Sequence, residues 1–418
     1  MRRRPRMLAA AAALLALVLT GCTGALHSGL PEQQPGGLPG SVTKSLDAAA
    51  TDAQRLADAS GGVVGVWAPW AGSYVKAFGT TTRGGSTPVT SGMIYRIGQN
   101  TIPMTCTVML ELVDRGVVEL DDQLTRWVPG LVGSGGITLR ELCQNTSGVG
   151  DIGAALRASF VNNPTRQWPP LELASDGLAM ARSSQPGEKY APSLTDYVLV
   201  GMALQSATNT SWPDLYKKYV FDRLGMASSS LPPSGQMALA ASHPAGYAAA
   251  LDAAGAPVCG HPVDVTRLSS SMGWTAGGVV STVADEKAFV QALAGGRLLS
   301  DRAESAQVDG IATGASWQKY GLGVQLLGPL RGSSGAMPGY VSAAYADPSS
   351  GLTIVAMLNN STPGTGFAQA LAQRLAAIVS KVPATQKGAK VVASLPWSEQ
   401  QATDAMTQSA PCPAKPAK

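Results

Sequence analysis

The sequence predicts a mixed α/β (α+β) domain, and three observations carry that class. The chain has 418 residues, 45% hydrophobic and 14% charged, enough apolar material for a large core and too little charge for global disorder. The run GGVVGVWAPWAGSYVKAFGTT reads as two strands about a turn, with Val64, Val66 and Trp67 as strand formers and Pro69 and Gly72 as punctuation. Two further segments, 41–60 and 100–114, place apolar residues at helical spacing among good helix formers.

The N-terminus reads as an export signal. MRRRPRM is a basic leader, and LAAAAALLALVLT is an apolar run too short to span a bilayer comfortably. Leu19-Thr-Gly-Cys22 then resembles a bacterial lipobox. The expectation is a signal peptide over 1–21 and lipidation of the Cys22 thiol. That would anchor an exported protein to the outer face of the cytoplasmic membrane. The formal charge of +4 comes from 31 basic and 27 acidic residues. Losing Arg2, Arg3, Arg4 and Arg6 leaves the two signs equal, so the sequence pI near 8.8 belongs largely to the leader. Nothing basic remains to recommend nucleic acid or anionic lipid as a partner.

With Cys22 assigned to lipid, Cys106, Cys143, Cys259 and Cys412 remain, enough for two disulfides in any of three pairings. No Cys/His spacing suggests a metal, and His27, His243 and His261 are scattered. No metal or organic cofactor is expected.

Residues 22–40 are rich in Gly and Pro, as in PEQQPGGLPG, and read as a flexible tether. A helix over 41–60 follows, with Leu46, Ala49, Ala53, Leu56 and Ala57 on one face and Ser41 or Ser45 as its N-cap. Ser41-Val-Thr-Lys44 also spells the nucleophile signature S-x-x-K. No strand precedes it, and a capping serine with a solvated lysine accounts for both residues. Trp67 and Trp70 read as packing within the strand pair. Asn100 is the expected cap of a helix reaching about Asp114, with Pro103 in its first turn. Thr105, Val108, Met109, Leu112 and Val113 form its core stripe, and Gly116 closes it.

A family becomes visible in longer segments. IGQNTIPMTCTVMLELVDRGVVELDDQLTRWVPG resembles the active-site helix and following segment of the serine β-lactamase-related, penicillin-binding-protein family, in particular class C β-lactamases and D-alanyl-D-alanine carboxypeptidases. ITLRELCQNTSGV, PGEKYAPSLTDYVLVGMALQSATNTS, FDRLGM, WTAGGVVSTVADEKAFVQALAGGRLLS, YGLGVQ and GSSGAMPGYVSAAYADPSSGLTIVAMLNNS resemble its later landmarks, in family order from Gly61 to Ser361. The resemblance implies an antiparallel sheet flanked by helices, with a mostly helical lobe between its halves. The domain is expected over 41–383, with a C-terminal tail over 384–418.

The family's catalytic positions are replaced. Its nucleophilic serine follows the Ile-Gly pair, where this chain has Gln99, and its lysine one helical turn later is Ile102. The tyrosine and asparagine of the second motif fall on Pro192 and Leu194, with Ser193 retained between them. The third motif becomes Ser333-Ser334-Gly335, and the histidine before Thr-Ser-Gly becomes Asn145. Losing a triad-type nucleophile alone lowers turnover roughly a millionfold. A glutamine amide is no nucleophile and isoleucine moves no proton. The backbone donors of the family's oxyanion hole correspond to the N–H groups of Gln99 and Ala336. They either still receive a carbonyl or carboxylate, with Ile102, Leu194 and Met337 as apolar lining, or the new side chains fill the hole.

The resemblance also implies a Cys106–Cys143 disulfide, because the turn holding Cys143 approaches the active-site helix in the family. Cys259 and Cys412 are left as the second expected pair. The expected function is a membrane-tethered binding or regulatory protein, holding a cell-wall peptide or an envelope protein. The alternative is a serine hydrolase (carboxypeptidase, esterase or amidase) with displaced groups, using Ser193, Ser333 or Ser334 with Lys189 as base. In that case Ser193 is more than a helix cap, and Ser333-Ser334-Gly335 more than a strand-edge turn.

Overall fold

The computed structural model describes residues 29–252 and 255–412. The signal peptide and Cys22 lie outside them. In chain order the elements that frame the site are α1 (Gly40–Leu56), β1 (Gly61–Ala68), β2 (Gly72–Gly79), α2 (Thr101–Asp114), α3 (Leu139–Cys143), α4 (Arg157–Asn162) and α5 (Leu194–Thr208). Then come a hairpin of β3 (Tyr247–Leu251) and β4 (Pro257–Asp264), and α6 (Val283–Ala294). The closing strands are β5 (Ile311–Ala312), β6 (Gln318–Tyr320), β7 (Gln325–Leu327), β8 (Leu330–Met337), β9 (Tyr340–Ala346) and β10 (Thr353–Leu358). Helices α7 (Gly364–Val379) and α8 (Glu399–Gln408) complete the list.

The main sheet is antiparallel, in the order β2-β1-β10-β9-β8-β7-β6-β5. β1 therefore pairs with β10, the N-terminal hairpin joining the last strands, with Val64 opposite Ala356. Alternation along β1 divides two cores. Val64 and Val66 face Leu46 and Ala53 of α1 and Leu371 and Leu375 of α7. Val63 belongs with Met357 and Val355 to the core that continues into the helical lobe through Leu110 and Leu199. Every residue of β1 is buried because helices cover both faces.

The β1–β2 hairpin turns at Pro69, as the composition indicates, with Ala68 opposite Gly72. Trp70 is buried and its Nε1 donates to the Val382 carbonyl at 2.9 Å. Helix α1 starts and ends earlier than 41–60. Its N-cap is Pro39, whose carbonyl accepts from Val42 and Thr43. Neither Ser41 nor Ser45 caps it; the Ser45 hydroxyl donates to the Ser41 carbonyl at 3.3 Å. Asp58, at φ 51°, turns the chain out of the helix. Helix α2 ends at Asp114 as expected, but it is buried on almost every side from Thr101 to Leu112 rather than along one stripe.

The expected tether and tail are corrected in part. From residue 29 onward the Gly/Pro segment docks on the domain: Gln34 N–H donates to the Pro69 carbonyl at 3.2 Å and Leu38 N–H to the Ser73 carbonyl at 3.1 Å. Edge strand β2 has unpaired backbone groups, and this segment satisfies some of them. The tail from 384 to 412 also packs. α8 lies on α7 through buried Ala402 and Met406, begins with a Ser398/Gln401 capping box, and is preceded by Trp397, whose Nε1 donates to the Gln373 carbonyl at 3.0 Å. Both expected disulfides form: Cys106–Cys143 joins α2 to α3, and Cys259–Cys412 joins β4 to the chain end. Among the described residues no helix is long and apolar enough to cross a membrane.

Candidate functional site

Two glycines bring the site together. Gly98 has φ 53°, and a Cβ there would lie 2.7 Å from the Ala336 nitrogen. A Cβ on Gly335 would lie 2.3 Å from the Ile97 carbonyl oxygen and 2.6 Å from the Gln99 nitrogen. The turn Gly98–Asn100 and strand β8 thus meet backbone to backbone, at a separation only glycine permits. Asn100 does not cap α2. Its backbone is already helical, and its Nδ2 donates to the Ser342 hydroxyl at 2.7 Å, which in turn donates to the Ile97 carbonyl at 2.7 Å. The turn is pinned to β9 by that relay.

Gln99 turns its side chain onto β8. Its Oε1 accepts the Ala336 N–H at 2.6 Å. Of the two expected backbone donors, the one on β8 is therefore occupied by the chain itself. Of the two alternatives for that donor, the structure shows the one in which the new side chain occupies it. Ile102 is buried in the first turn of α2, at the position the resemblance gives to the lysine.

Pro192, Ser193 and Leu194 enter α5. Ser193 holds the N-cap position without capping; its hydroxyl donates to the Gly150 carbonyl at 3.0 Å. Asp151 serves the helix start instead, accepting the Leu194 N–H at 2.9 Å. Asn145, in the left-handed region at φ 55°, clips this loop: its Oδ1 accepts the Ser193 N–H at 3.1 Å and its carbonyl accepts the Ala191 N–H at 2.8 Å. Asparagine is among the few residues that tolerate that backbone. Ser333, Ser334, Gly335, Ala336 and Met337 lie within strand β8, not in a turn.

The expected pocket residues line one cavity of about 820 Å³, except Gly335, which is packed against the Ile97 and Gln99 backbone and lies outside the wall. Gln99, Ile102, Asn145, Pro192, Ser193, Leu194, Ser333, Ser334, Ala336 and Met337 all contribute to its wall. Lys189 does not; it is exposed to solvent and outside the lining. Tyr190, Tyr320 and Gln325 also line the cavity and were missed in the sequence, although the segments holding them carry the resemblance. Burial pushes the Tyr190 phenol up to about 12, a hydrogen bond with Asn145 opposing it. The Tyr320 hydroxyl shares a 2.6 Å hydrogen bond with that of Tyr197, which also lines the cavity. Asp196 is fully buried. Burial pushes its carboxyl well above the usual range, opposed by the Ser147 hydroxyl that donates to it at 2.5 Å.

The serines have no evident base. The Ser333 hydroxyl donates to the Gln99 carbonyl at 3.3 Å, and Ser334 reaches Gln325 Oε1 at 3.5 Å. Asp151, the one carboxylate in the wall among the described residues, spends both oxygens on the backbone N–H groups of Gly153, Ala154 and Leu194. Among the described residues no cluster of His, Cys, Asp and Glu is placed to hold a metal ion.

Comparison with known proteins agrees with this architecture. D-alanyl-D-alanine-carboxypeptidase/endopeptidase AmpH of Escherichia coli (strain K12) is 28% identical over 168 residues, 38% of this chain and 42% of that protein. Penicillin-binding protein 4 of Amycolatopsis lactamdurans is 26% identical over 163 residues, 38% of this chain and 41% of that protein. The matches thus span about two fifths of these relatives. A D-stereospecific amidohydrolase from Streptomyces sp. superposes with TM-score 0.66 at 24% identity, over 77% of this chain and 94% of that one. A penicillin-binding protein from Bacillus halodurans gives TM-score 0.63 at 19% identity, over 75% and 95%. At those identities the structures speak to the fold alone. The family model described as Beta-lactamase matches residues 41–378, and the chain belongs to that family.

Proposed function

We propose that this chain is a non-catalytic binding or regulatory lipoprotein of the cell envelope, tethered through Cys22, that uses the inherited cavity to hold a ligand. A cell-wall peptide or an envelope protein is the partner first suggested by the family. One observation carries the reading: Gln99 puts a carboxamide where the nucleophile belongs and gives its oxygen to the Ala336 N–H. Ile102 in place of the lysine supports it. The hydrolase alternative draws nothing from Ser193, Ser333 or Ser334, whose hydroxyls contact carbonyl and amide oxygens and no base.

The test is intact-mass spectrometry of the full chain in detergent, after incubation with benzylpenicillin and separately with a fluorophosphonate. The expected mass is unchanged in both. A stoichiometric adduct would overturn the non-catalytic reading and map the serine that has taken over. Tethering is tested by Cys22→Ala, which is expected to move the protein from the detergent to the aqueous phase of a Triton X-114 partition. Retention in the detergent phase would refute the lipid anchor.

A further inference from the structure

The cavity wall is chemically uneven. Gln99, Asn145, Tyr190, Tyr320, Gln325 and Ser333 line one part of it, and all six are uncharged. Several keep hydrogen-bonding capacity. Gln99 uses Oε1 on Ala336, and Gln325 uses Oε1 on the Tyr345 and Ser334 hydroxyls. That leaves the Nε2 groups of both as donors with no partner among the described residues. The Ser333 and Ser334 hydroxyls make contacts of 3.3 to 3.5 Å, long enough to yield to a better partner.

Charge is scarce in the same wall. Arg157 is its only basic residue among those described, exposed on α4 beside Phe160 and Val161, and α4 packs on the β3 side of the hairpin. A carboxylate entering the uncharged part would give up its hydration without a counter-charge. A neutral ligand with hydroxyls and an amide would find a partner for each polar group, and Ile102, Leu194 and Met337 would take its apolar edge.

We propose that the cavity takes an uncharged ligand bearing hydroxyl and amide groups, of the class of neutral N-acylated sugars, in preference to a peptide carboxylate. This rests on the binding reading above and narrows it. The donors are the Gln99 and Gln325 carboxamides, and Arg157 stands outside the recognition.

The test is isothermal titration of the full chain in detergent with N,N'-diacetylchitobiose and with N-acetyl-D-alanyl-D-alanine. The disaccharide is expected to bind at least about tenfold more tightly than the dipeptide. Arg157→Gln should leave its affinity within about twofold. Gln325→Glu keeps the acceptor for Tyr345 but removes the donor, and should weaken it at least about tenfold. Should that variant melt early, Ser333→Ala offers a second probe of the same wall, with a smaller expected loss. Tighter binding of the dipeptide, abolished by Arg157→Gln, would overturn the proposal and leave the binding reading standing. Binding of neither probe by protein that melts cooperatively would also overturn it. A covalent adduct in the mass experiment would overturn the binding reading itself.

Discussion

The Gln99 carboxamide oxygen sits 2.6 Å from the Ala336 nitrogen, across a sequence separation of 237 residues. A side-chain carbonyl from within the chain thereby occupies the Ala336 N–H, the β8 donor that the family resemblance assigns to the oxyanion hole. That hydrogen bond joins the Gly98–Asn100 turn to strand β8. Gln99→Ala frees that N–H, and is expected to cost about 1 kcal/mol in urea unfolding. Gln99→Ser restores a hydroxyl but not the base, because Ile102 remains. No penicillin adduct is expected by intact mass after prolonged incubation. An adduct on Gln99→Ser would show that a base survives nearby and that the site has lost only its nucleophile.

Gly335 and Gly98 make that contact possible. A Cβ on Gly335 would fall 2.3 Å from the Ile97 oxygen, against backbone that has little room to yield. Gly335→Ala is therefore expected to cost about 1–3 kcal/mol through overpacking. At Gly130, φ is 78° but nothing lies within 4 Å of the added Cβ, so Gly130→Ala carries only the conformational strain. Urea midpoints of the two variants separate these causes. An undisturbed Gly335→Ala would mean that turn and strand part easily.

The Cys259–Cys412 disulfide closes the C-terminal segment against the hairpin, and Gln408, Ser409 and Pro411 contribute to the cavity wall. Helix α8 is held separately, through Ala402 and Met406. Cys259→Ser with Cys412→Ser should thus loosen the end of the chain while the α7–α8 contact persists. Hydrogen exchange is expected to rise over 409–412 and stay slow in α7. Equal loss of protection in both would show that the bond supports the whole layer.

The legible parts of the fold were those written in local patterns. The β1–β2 hairpin and the extent of α2 to Asp114 follow from short runs of residues. Residues 29–40 were misread because their Gly and Pro content describes a coil, whereas their place is set by the open edge of β2. The helix at 399–408 shows only Ala402 and Met406 as buried apolar residues, a stripe too narrow to announce a docked face. The Gln99–Ala336 bond and the grouping of Tyr190, Tyr320 and Gln325 depend on contacts between distant segments. No local spacing encodes them.

Glu286, on α6, is fully buried, and neither of its carboxylate oxygens has a hydrogen-bond partner among the described residues. Burial pushes its carboxyl up to about 8, the nearby Ser281 hydroxyl acting in the opposite direction. The folded state therefore holds a proton that the unfolded chain releases at the ordinary value of 4.5. Between that value and about 8 the native state binds more protons, so this group's contribution to stability falls as pH rises. One fully linked proton corresponds to about 1.4 kcal/mol per pH unit. Glu286→Gln retains the shape and removes the titration. It is expected to unfold at higher urea than the parent at pH 8 and to lose that advantage toward pH 5, with a flatter pH profile between. Parallel profiles for parent and variant would show that Glu286 is hydrated or paired in solution.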